Sequence, residues 1–299
     1  MHVSGFISII GKPNVGKSTF LNHVLNHKVA ITSSKPQTTR NTIRGIYNDD
    51  NSQIIFIDTP GIHQPKHALG KYMTETALRT LNAVDLVIFM ISGIEPISAV
   101  DETIIDHLSV VKTPVVLVVN KIDLTKDIDR LNDLIEKYKA RYPFKEVLAI
   151  SALQGTYTKP LLKDLKKYLE EGPKYYPSDQ LTDHPEKFLI SELIREKVLH
   201  HTHEEVPHSV MVLIDHIDRD EKNHDLLSIH ATVIVERDSQ KGIIIGKGGA
   251  MIKKIGSEAR KDILDLLGEK IYLDLHCKVV KNWRNKELYL KNFGYKDSL

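Results

Sequence analysis

Gly11-Lys12-Pro13-Asn14-Val15-Gly16-Lys17-Ser18 is the stretch that decides the fold of the first part of the chain. It matches the pattern Gly-x-x-x-x-Gly-Lys-[Ser/Thr] and lies between an apolar run at residues 6–10 and an amphipathic run at 17–25. In the strand–loop–helix context, this pattern binds phosphate because main-chain N–H groups and the helix N-terminus face the anion. The stretch and the following Thr19 therefore predict a nucleotide site, with Lys17 at the β- and γ-phosphates and Ser18 at Mg²⁺.

Short β-branched runs alternate with amphipathic runs through the rest of this part. They predict strands at 6–10, 53–57, 85–91, 115–119 and 147–150, and helices at 17–25, 71–81, 100–110, 128–141 and 160–169. This alternation predicts an α/β fold, with a mainly parallel sheet and helices on both faces. Ligands of such sheets bind beyond the carboxyl ends of the strands, so motifs that directly follow a strand are candidate site residues.

Three such motifs follow predicted strands. They are Asp58-Thr59-Pro60-Gly61, Asn120-Lys121-Ile122-Asp123 and Ser151-Ala152. The Asp58 carboxylate can hold Mg²⁺ through water, and the Gly61 N–H can contact a γ-phosphate. The two acceptors of Asp123 suit the N1–H and N2–H₂ donors of guanine, while the Ala152 N–H can reach O6. Because adenine lacks both donors, the motifs predict a guanine nucleotide.

A second domain follows a break in the pattern. Residues 172–185 combine three prolines and a glycine with small polar residues, which is typical of a linker. Alternating strands are predicted at 226–236 and 270–280, as in a sheet with one solvated face. The predicted organisation is a nucleotide-binding domain at 1–172, a linker at 173–185 and an α+β domain at 186–299.

Gly246-Lys247-Gly248-Gly249 is a GxxG motif in a basic surrounding. The basic stretch, residues 241–261, holds six lysines and arginines against one glutamate. Glycines let a nucleic-acid backbone approach closely, and the following helix N-terminus faces phosphate. The pattern predicts an RNA clamp formed by Ile245, the four motif residues, Lys253 and Lys254. A solvated basic helix with a flexible loop is the alternative.

Composition excludes several classes of protein. The 299 residues carry 41 Lys and Arg against 39 Asp and Glu, so no global charge points to nucleic acid or membrane. A single cysteine excludes an internal disulfide and any Cys-rich zinc site, and fits a reducing compartment. No apolar run is long enough to span a bilayer, and the N-terminal stretch has no signal-peptide pattern. We therefore expect a cytoplasmic protein.

Gln37-Thr38-Thr39-Arg40-Asn41 resembles the switch I signature of the Era/Der/MnmE group of GTPases. With the motif order above and the GxxG domain, the chain resembles the Era family of bacterial ribosome-assembly GTPases over essentially its whole length. The resemblance implies a P-loop GTPase domain followed by a type II KH domain. It further implies Mg²⁺-dependent GTP hydrolysis, binding of 16S ribosomal RNA, and a role in assembly of the 30S subunit. Thr39 would then close over Mg²⁺.

Two positions bear on hydrolysis. Ile62 follows Gly61 where Ras-like proteins carry a glutamine that orients water, and this difference implies slow intrinsic hydrolysis. Asn14 resembles the asparagine with which potassium-activated members hold K⁺, so K⁺ is a second candidate cofactor. Arg40 is expected on the surface, with a role as charge donor as the alternative.

Two other functions stay open at this point. One is a membrane-associated signalling GTPase with a KH-like adaptor, because Lys278, Lys281, Arg284 and Lys286 form a basic cluster around Trp283. The other is a nucleic-acid-binding protein that does not hydrolyse its nucleotide. We expect a monomer, with peripheral membrane contact at the inner face as a candidate property.

Overall fold

The computed structural model describes residues 2–219 and 226–295, so the predicted domain ends at 1 and 299 lie outside the described residues. The chain forms two compact units that change over between residues 183 and 184, with the short segments 33–36 and 67–69 grouped with the second unit. Among the described residues, no helix combines the length and the apolar character needed to cross a bilayer.

The first unit is an α/β sandwich, as predicted. Its strands are β1 (Val3–Ile10), β2 (Ile43–Asp49), β3 (Ser52–Asp58), β4 (Leu86–Ser92), β5 (Val115–Asn120), β6 (Val147–Ala149) and β7 (Glu170–Glu171). Its helices are α1 (Lys17–Leu25), α2 (Ala68–Arg79), α3 (Ala99–Ser109), α4 (Ile128–Lys139) and α5 (Thr158–Leu165). The strand order β2-β3-β1-β4-β5-β6 places β1 inside the sheet, where it pairs in parallel with β3 and β4.

The sheet brings the predicted motifs to one edge. Strands β1, β3, β4, β5 and β6 are parallel, so their carboxyl ends lie on the same side. The register pairs Ile9 with Asp58 and Ser92 with Asn120. Every residue of β4 and β5 is buried, as expected for strands that are covered on both faces.

Strand β2 was not predicted. It pairs antiparallel with β3 at the edge of the sheet and follows directly on the switch I segment. Its sequence, which includes Arg44 and Gly45, has neither a continuous apolar run nor a regular alternation, so the period-2 signal is weak.

The predicted linker, residues 173–185, packs against the first unit over most of its length. The buried Gln53 side chain accepts hydrogen bonds from the main-chain N–H groups of Tyr175 and Tyr176, at 2.6 and 3.0 Å. Asp183 pairs with Arg44 at 2.6 Å. Residue composition predicts that the segment lacks periodic secondary structure, but it does not predict these contacts with strands β2 and β3. The exact domain boundaries stay a prediction.

The second unit places helices on one face of a three-stranded sheet. Its elements are α6 (Glu186–His201), α7 (Val206–Ser209), β8 (Met211–Arg219), β9 (Leu226–Val235), α8 (Asp238–Ile245), α9 (Ala250–Leu267), β10 (Lys270–Val279) and α10 (Glu287–Asn292). The sheet order is β10-β9-β8, with β9 and β10 parallel. Ile229 and Ala231 are buried whereas His230 and Thr232 are partly exposed, which confirms the predicted one-sided sheet.

Candidate GTPase site and RNA interface

The phosphate loop, residues 11–18, connects β1 to α1 as predicted. Lys17 is 5% exposed, and its Nζ donates to the loop's own carbonyl oxygens, at 3.0 Å from Lys12 and 3.3 Å from Gly11. Burial lowers the pKa of Lys17 to about 8, although the nearby Asp58 carboxylate acts in the opposite direction. A phosphate bound by the loop would stabilise the charged form of the Lys17 side chain. The buried lysine and the loop therefore suit an anionic ligand.

Three oxygen-bearing side chains meet at the end of this loop. Ser18 Oγ donates to Asp58 Oδ2 at 2.6 Å, Thr39 Oγ1 donates to the same oxygen at 3.2 Å, and the two hydroxyl oxygens lie 2.9 Å apart. Burial raises the pKa of Asp58, against the influence of Lys17 and the two hydroxyl groups. Within the described ranges, Asp58 Oδ1 is enclosed and has no hydrogen-bond partner. This all-oxygen set fits Mg²⁺.

The switch I segment is joined to the loop after Gly61 by a contact that the sequence did not reveal. Gln37 Nε2 lies 3.0 Å from His63 Nε2, and His63 Nδ1 lies 2.9 Å from the Gly61 carbonyl oxygen. If Nδ1–H donates to Gly61, His63 Nε2 accepts from Gln37. His63 therefore belongs to the switch region. The sequence offered no signal for this role, because a single histidine in a loop is common.

The residues around Gly61 are packed closely against the phosphate loop. The Ile62 N–H donates to the Gly11 carbonyl at 3.1 Å, and the Thr59 hydroxyl donates to the Ile9 carbonyl at 2.7 Å. The Ile62 side chain is 2% exposed. We expected Arg40 on the surface, but it is 1% exposed, so that expectation was wrong. The charge of a residue does not show how closely the rest of the protein covers the loop that carries it.

Asn120 connects the two halves of the nucleotide site. Its Nδ2 donates to the Val15 carbonyl at 2.8 Å, and its Oδ1 accepts from the Ala152 N–H at 2.9 Å. The Ala152 N–H predicted to reach guanine O6 is thus engaged by Asn120 in this structure. A Cβ on Gly16 would lie 2.1 Å from Asn120 Nδ2, so only glycine fits there. The partly exposed Asp123 has no hydrogen bond or ion pair within the described residues.

The remaining predicted nucleotide residues lie on the same loops. Lys121 has a left-handed main chain, with φ of 68°, and begins the 3-10 turn Ile122–Leu124 that holds Asp123. Asn14 is exposed at the phosphate loop with φ of 64°. Ser151 is buried, and its hydroxyl accepts from the Gln154 N–H at 3.2 Å. The site roles of these residues stay predictions.

The GxxG loop, residues 246–249, separates α8 from α9. A Cβ on Gly246 would lie 2.7 Å from Met251 Cβ, so this glycine is required by packing. Gly248 and Gly249 have φ of 59° and 80°, yet a Cβ on either would meet nothing within 4 Å. The second half of the loop therefore offers open space together with a glycine main chain, as close approach of a nucleic-acid backbone requires.

A groove runs beside this loop between α9 and the edge strand β10. Its lining includes Ile252, Lys253, Gly256, Arg260 and Leu273. On the helix before the loop, Ile243 is exposed, Ile245 is half-buried and Ile244 is fully buried. Lys247, Lys253 and Lys254 are exposed. Arg284 of the C-terminal basic cluster is instead paired with Glu236 at 2.7 Å, and Trp283 is buried.

A parallel sheet whose strand ends carry a phosphate loop, a Ser-Thr-Asp oxygen cluster and an Asn-Lys-x-Asp loop defines a P-loop GTPase, and the second unit carries the GxxG loop of a KH domain. Family models agree: one described as a 50S ribosome-binding GTPase matches residues 6–121, and one described as a KH domain matches residues 205–284.

Two solved structures are similar to the chain along its whole length. One is a variant of Era from Aquifex aeolicus bound to GDP and AlF₄⁻, with 41% identity, coverage of 99% of this chain and 100% of that chain, and a TM-score of 0.95. The other is Era in complex with MgGDPNP and nucleotides 1506–1542 of 16S ribosomal RNA, with the same identity and coverage and a TM-score of 0.96. The chain belongs to the Era family of GTPases.

Proposed function

We propose that this GTPase is a nucleotide-dependent switch that binds 16S ribosomal RNA through its KH domain and acts in assembly of the 30S subunit. The observation that carries the proposal is the open GxxG loop beside a groove with two basic side chains, Lys253 and Arg260, in the same chain as a P-loop GTPase domain. The similar Era complex holds both a guanine nucleotide and a 16S fragment.

The phosphate loop and its neighbours would hold GTP with Mg²⁺. Lys17 would turn from the loop carbonyls to the phosphates, while Ser18, Thr39 and Asp58 supply oxygen atoms for the metal. Mg²⁺ supplies neutralisation of the phosphate charge when it is bound. Because Thr39 belongs to switch I, a bond from its hydroxyl oxygen to Mg²⁺ would hold that segment closed while GTP is bound.

Intrinsic hydrolysis would be slow. The buried Ile62 has no hydrogen-bonding group with which to orient a water molecule, and it occupies the position at which Ras-like GTPases carry glutamine. Asn14 is exposed on the phosphate loop and carries an amide oxygen of the kind that coordinates K⁺. We therefore include K⁺ as a second cofactor in the proposal.

The KH domain would clamp single-stranded RNA. The main chain of Gly248 and Gly249 approaches the phosphates, Lys253 and Lys254 neutralise charge, and the groove between α9 and β10 accepts the bases. An assembly factor of the small subunit works in the cytoplasm, which is the location that we propose.

The proposal is tested by RNA binding of the full-length protein. An oligonucleotide with the sequence of 16S nucleotides 1506–1542 is titrated in the presence of GDP or a non-hydrolysable GTP analogue, with a shuffled RNA of the same length as the control. We expect the 16S sequence to bind at least about tenfold more tightly than the shuffled RNA in one nucleotide state. Equal affinity for both RNAs in both states would contradict the proposal.

A further inference from the structure

Lys12 extends from the phosphate loop to the first turn of α3. Its Nζ lies 2.9 Å from Asp101 Oδ2, and the two side chains are 13% and 0% exposed. The same carboxylate oxygen accepts from the Ser98 N–H at 2.9 Å and from the Ser98 hydroxyl at 2.7 Å. Asp101 therefore caps its own helix and holds a lysine of the nucleotide site at the same time.

Glu95 extends this link to residues 120–123, the candidate base-recognition loop. One of its carboxylate oxygens lies 3.5 Å from Lys12 Nζ, and the other lies 3.9 Å from Lys121 Nζ. Lys121 precedes the turn that carries Asp123. Glu95 thus contacts a lysine of the phosphate loop and a lysine of the base-recognition loop, and Asp101 contacts the first of these.

The Lys12–Asp101 pair is the stronger part of the link. When one member of a buried ion pair is removed, the other charge stays buried without compensation, and this strongly destabilises the folded state. The Glu95–Lys121 contact is longer and half exposed, so solvent screens it. Of the two carboxylates that Lys12 contacts, Asp101 is therefore the stronger anchor for the start of the phosphate loop.

We propose that Asp101 is a positioning residue of the nucleotide site and acts through Lys12 to hold the phosphate loop in its binding shape. This inference rests on nucleotide binding at that loop, as proposed above. The loop contacts phosphates that GDP and GTP share. Loss of the pair therefore weakens both nucleotides by the same factor and leaves kcat nearly unchanged.

The test uses the full-length protein and the variants Asp101→Asn, Lys12→Met and their combination. Asparagine keeps an oxygen acceptor for Ser98 but removes the charge that pairs with Lys12. Dissociation constants for GDP and a GTP analogue are measured at a temperature at which circular dichroism shows every variant folded. We expect each single change to raise both constants about fivefold to tenfold and the combination to be no worse than either single change. Lys12→Arg should retain most of the affinity.

Glu102→Gln is the matched control, since Glu102 lies on the same helical turn and pairs with Arg141 on the surface. We expect its nucleotide affinity to equal that of the parent. Tighter binding by Asp101→Asn would show that Lys12 is a phosphate ligand which Asp101 restrains, and would overturn the proposal. Independent, multiplicative effects of the two changes, or a lowered unfolding temperature with unchanged affinity, would also overturn it. Failure of the parent to bind either nucleotide would instead refute the nucleotide site itself.

Discussion

The Asn120 side chain donates a hydrogen bond to the Val15 main-chain carbonyl at 2.8 Å, and this bond joins the base-recognition loop to the middle of the phosphate loop. Because the amide oxygen of Asn120 is engaged by Ala152, both ends of the side chain serve the architecture of the site. We expect Asp123 to recognise the base, since its carboxylate has no partner within the described residues.

Asp123→Asn tests this division of roles. The change replaces one acceptor by a donor that faces the donors of guanine, and we expect GTP affinity to fall about 10- to 100-fold. Xanthosine triphosphate, whose C2 oxygen accepts from the new amide, should gain affinity. Competition titrations with both nucleotides measure the exchange. Asp129→Asn, an exposed change on α4, is the control, and unaltered GTP binding by Asp123→Asn would contradict the assignment.

Ser18→Ala tests the oxygen cluster. The change removes a hydroxyl that lies 2.6 Å from Asp58 Oδ2, so we expect Mg²⁺-dependent phosphate release at saturating GTP to fall about 10- to 100-fold. Ser109→Ala removes an exposed hydroxyl that bonds only within its helix region and serves as control. Similar Mg²⁺ titration curves for Ser18→Ala and the parent would exclude Ser18 as a ligand.

Asn14→Gly tests the potassium proposal without strain, because glycine tolerates the observed φ of 64°. We expect the parent to release phosphate several-fold faster in KCl than in NaCl at matched ionic strength, and the variant to lose that preference. The ratio of the two rates is the measurement. A ratio near one in the parent, or a preference that the variant keeps, would count against Asn14 as a potassium ligand.

Gly248→Asp tests the RNA clamp. A side chain at this position meets open space within the protein, but its carboxylate would face the RNA backbone, so we expect RNA affinity to fall at least about tenfold. Gly248→Asn, which tolerates the same main-chain conformation without the charge, separates repulsion from strain. Lys253→Ala combined with Lys254→Ala should instead lower the affinity for all RNA sequences and reduce the salt slope by about one per lost phosphate contact. Binding curves at several salt concentrations distinguish the two kinds of variant.

Asp49→Asn tests how much the carboxylate at the end of edge strand β2 contributes to stability at different pH values. Burial tends to raise the pKa of Asp49, but hydrogen bonds from Lys166, Ser52 and the Asn51 N–H outweigh it and lower the pKa to about 2. A carboxyl whose folded-state pKa is lowered contributes stability above its ordinary pKa of 3.8, and the contribution is lost as pH falls from about 4 to 2. We expect the substitution to lower the free energy of unfolding by about 1 kcal/mol at pH 7 and by far less near pH 2. Urea titrations at pH 7, 4 and 2 measure this, and a pH-independent difference would contradict it.

The sequence predicted that the candidate nucleotide motifs follow the strands, as they do in the structure, because each motif directly follows an apolar run. The inner strands and the loop that holds each motif could be inferred from neighbouring residues, whereas the edge strand β2 could not. The confirmed fold class follows from the same local signals, since strands and helices alternate regularly.

What the sequence did not predict depends on partners that are far apart along the chain. Asn120 and Val15 are 105 positions apart, and nothing near either residue points to the other. The same holds for Lys12 with Asp101 and for the packing of Gln53 against Tyr176. The burial of Arg40 was missed because a charged loop residue is usually exposed, and only the folded structure shows how closely a segment is covered.

The pairing of β7 with β1 has a consequence for how the chain folds during synthesis. Glu170 and Glu171 pair antiparallel with Ser4 and Val3, and the Gly172 N–H donates to the His2 carbonyl at 3.1 Å. Strand β1 leaves the ribosome well before β7, so it is among the last strands to find all of its partners. Strand β1 can pair with β3 and β4 as these are synthesised, but its pairing with β7 requires synthesis up to residue 172. All the nucleotide motifs lie before residue 153, so we expect a nascent chain that stops short of β7 to bind nucleotide while the start of β1 is still frayed.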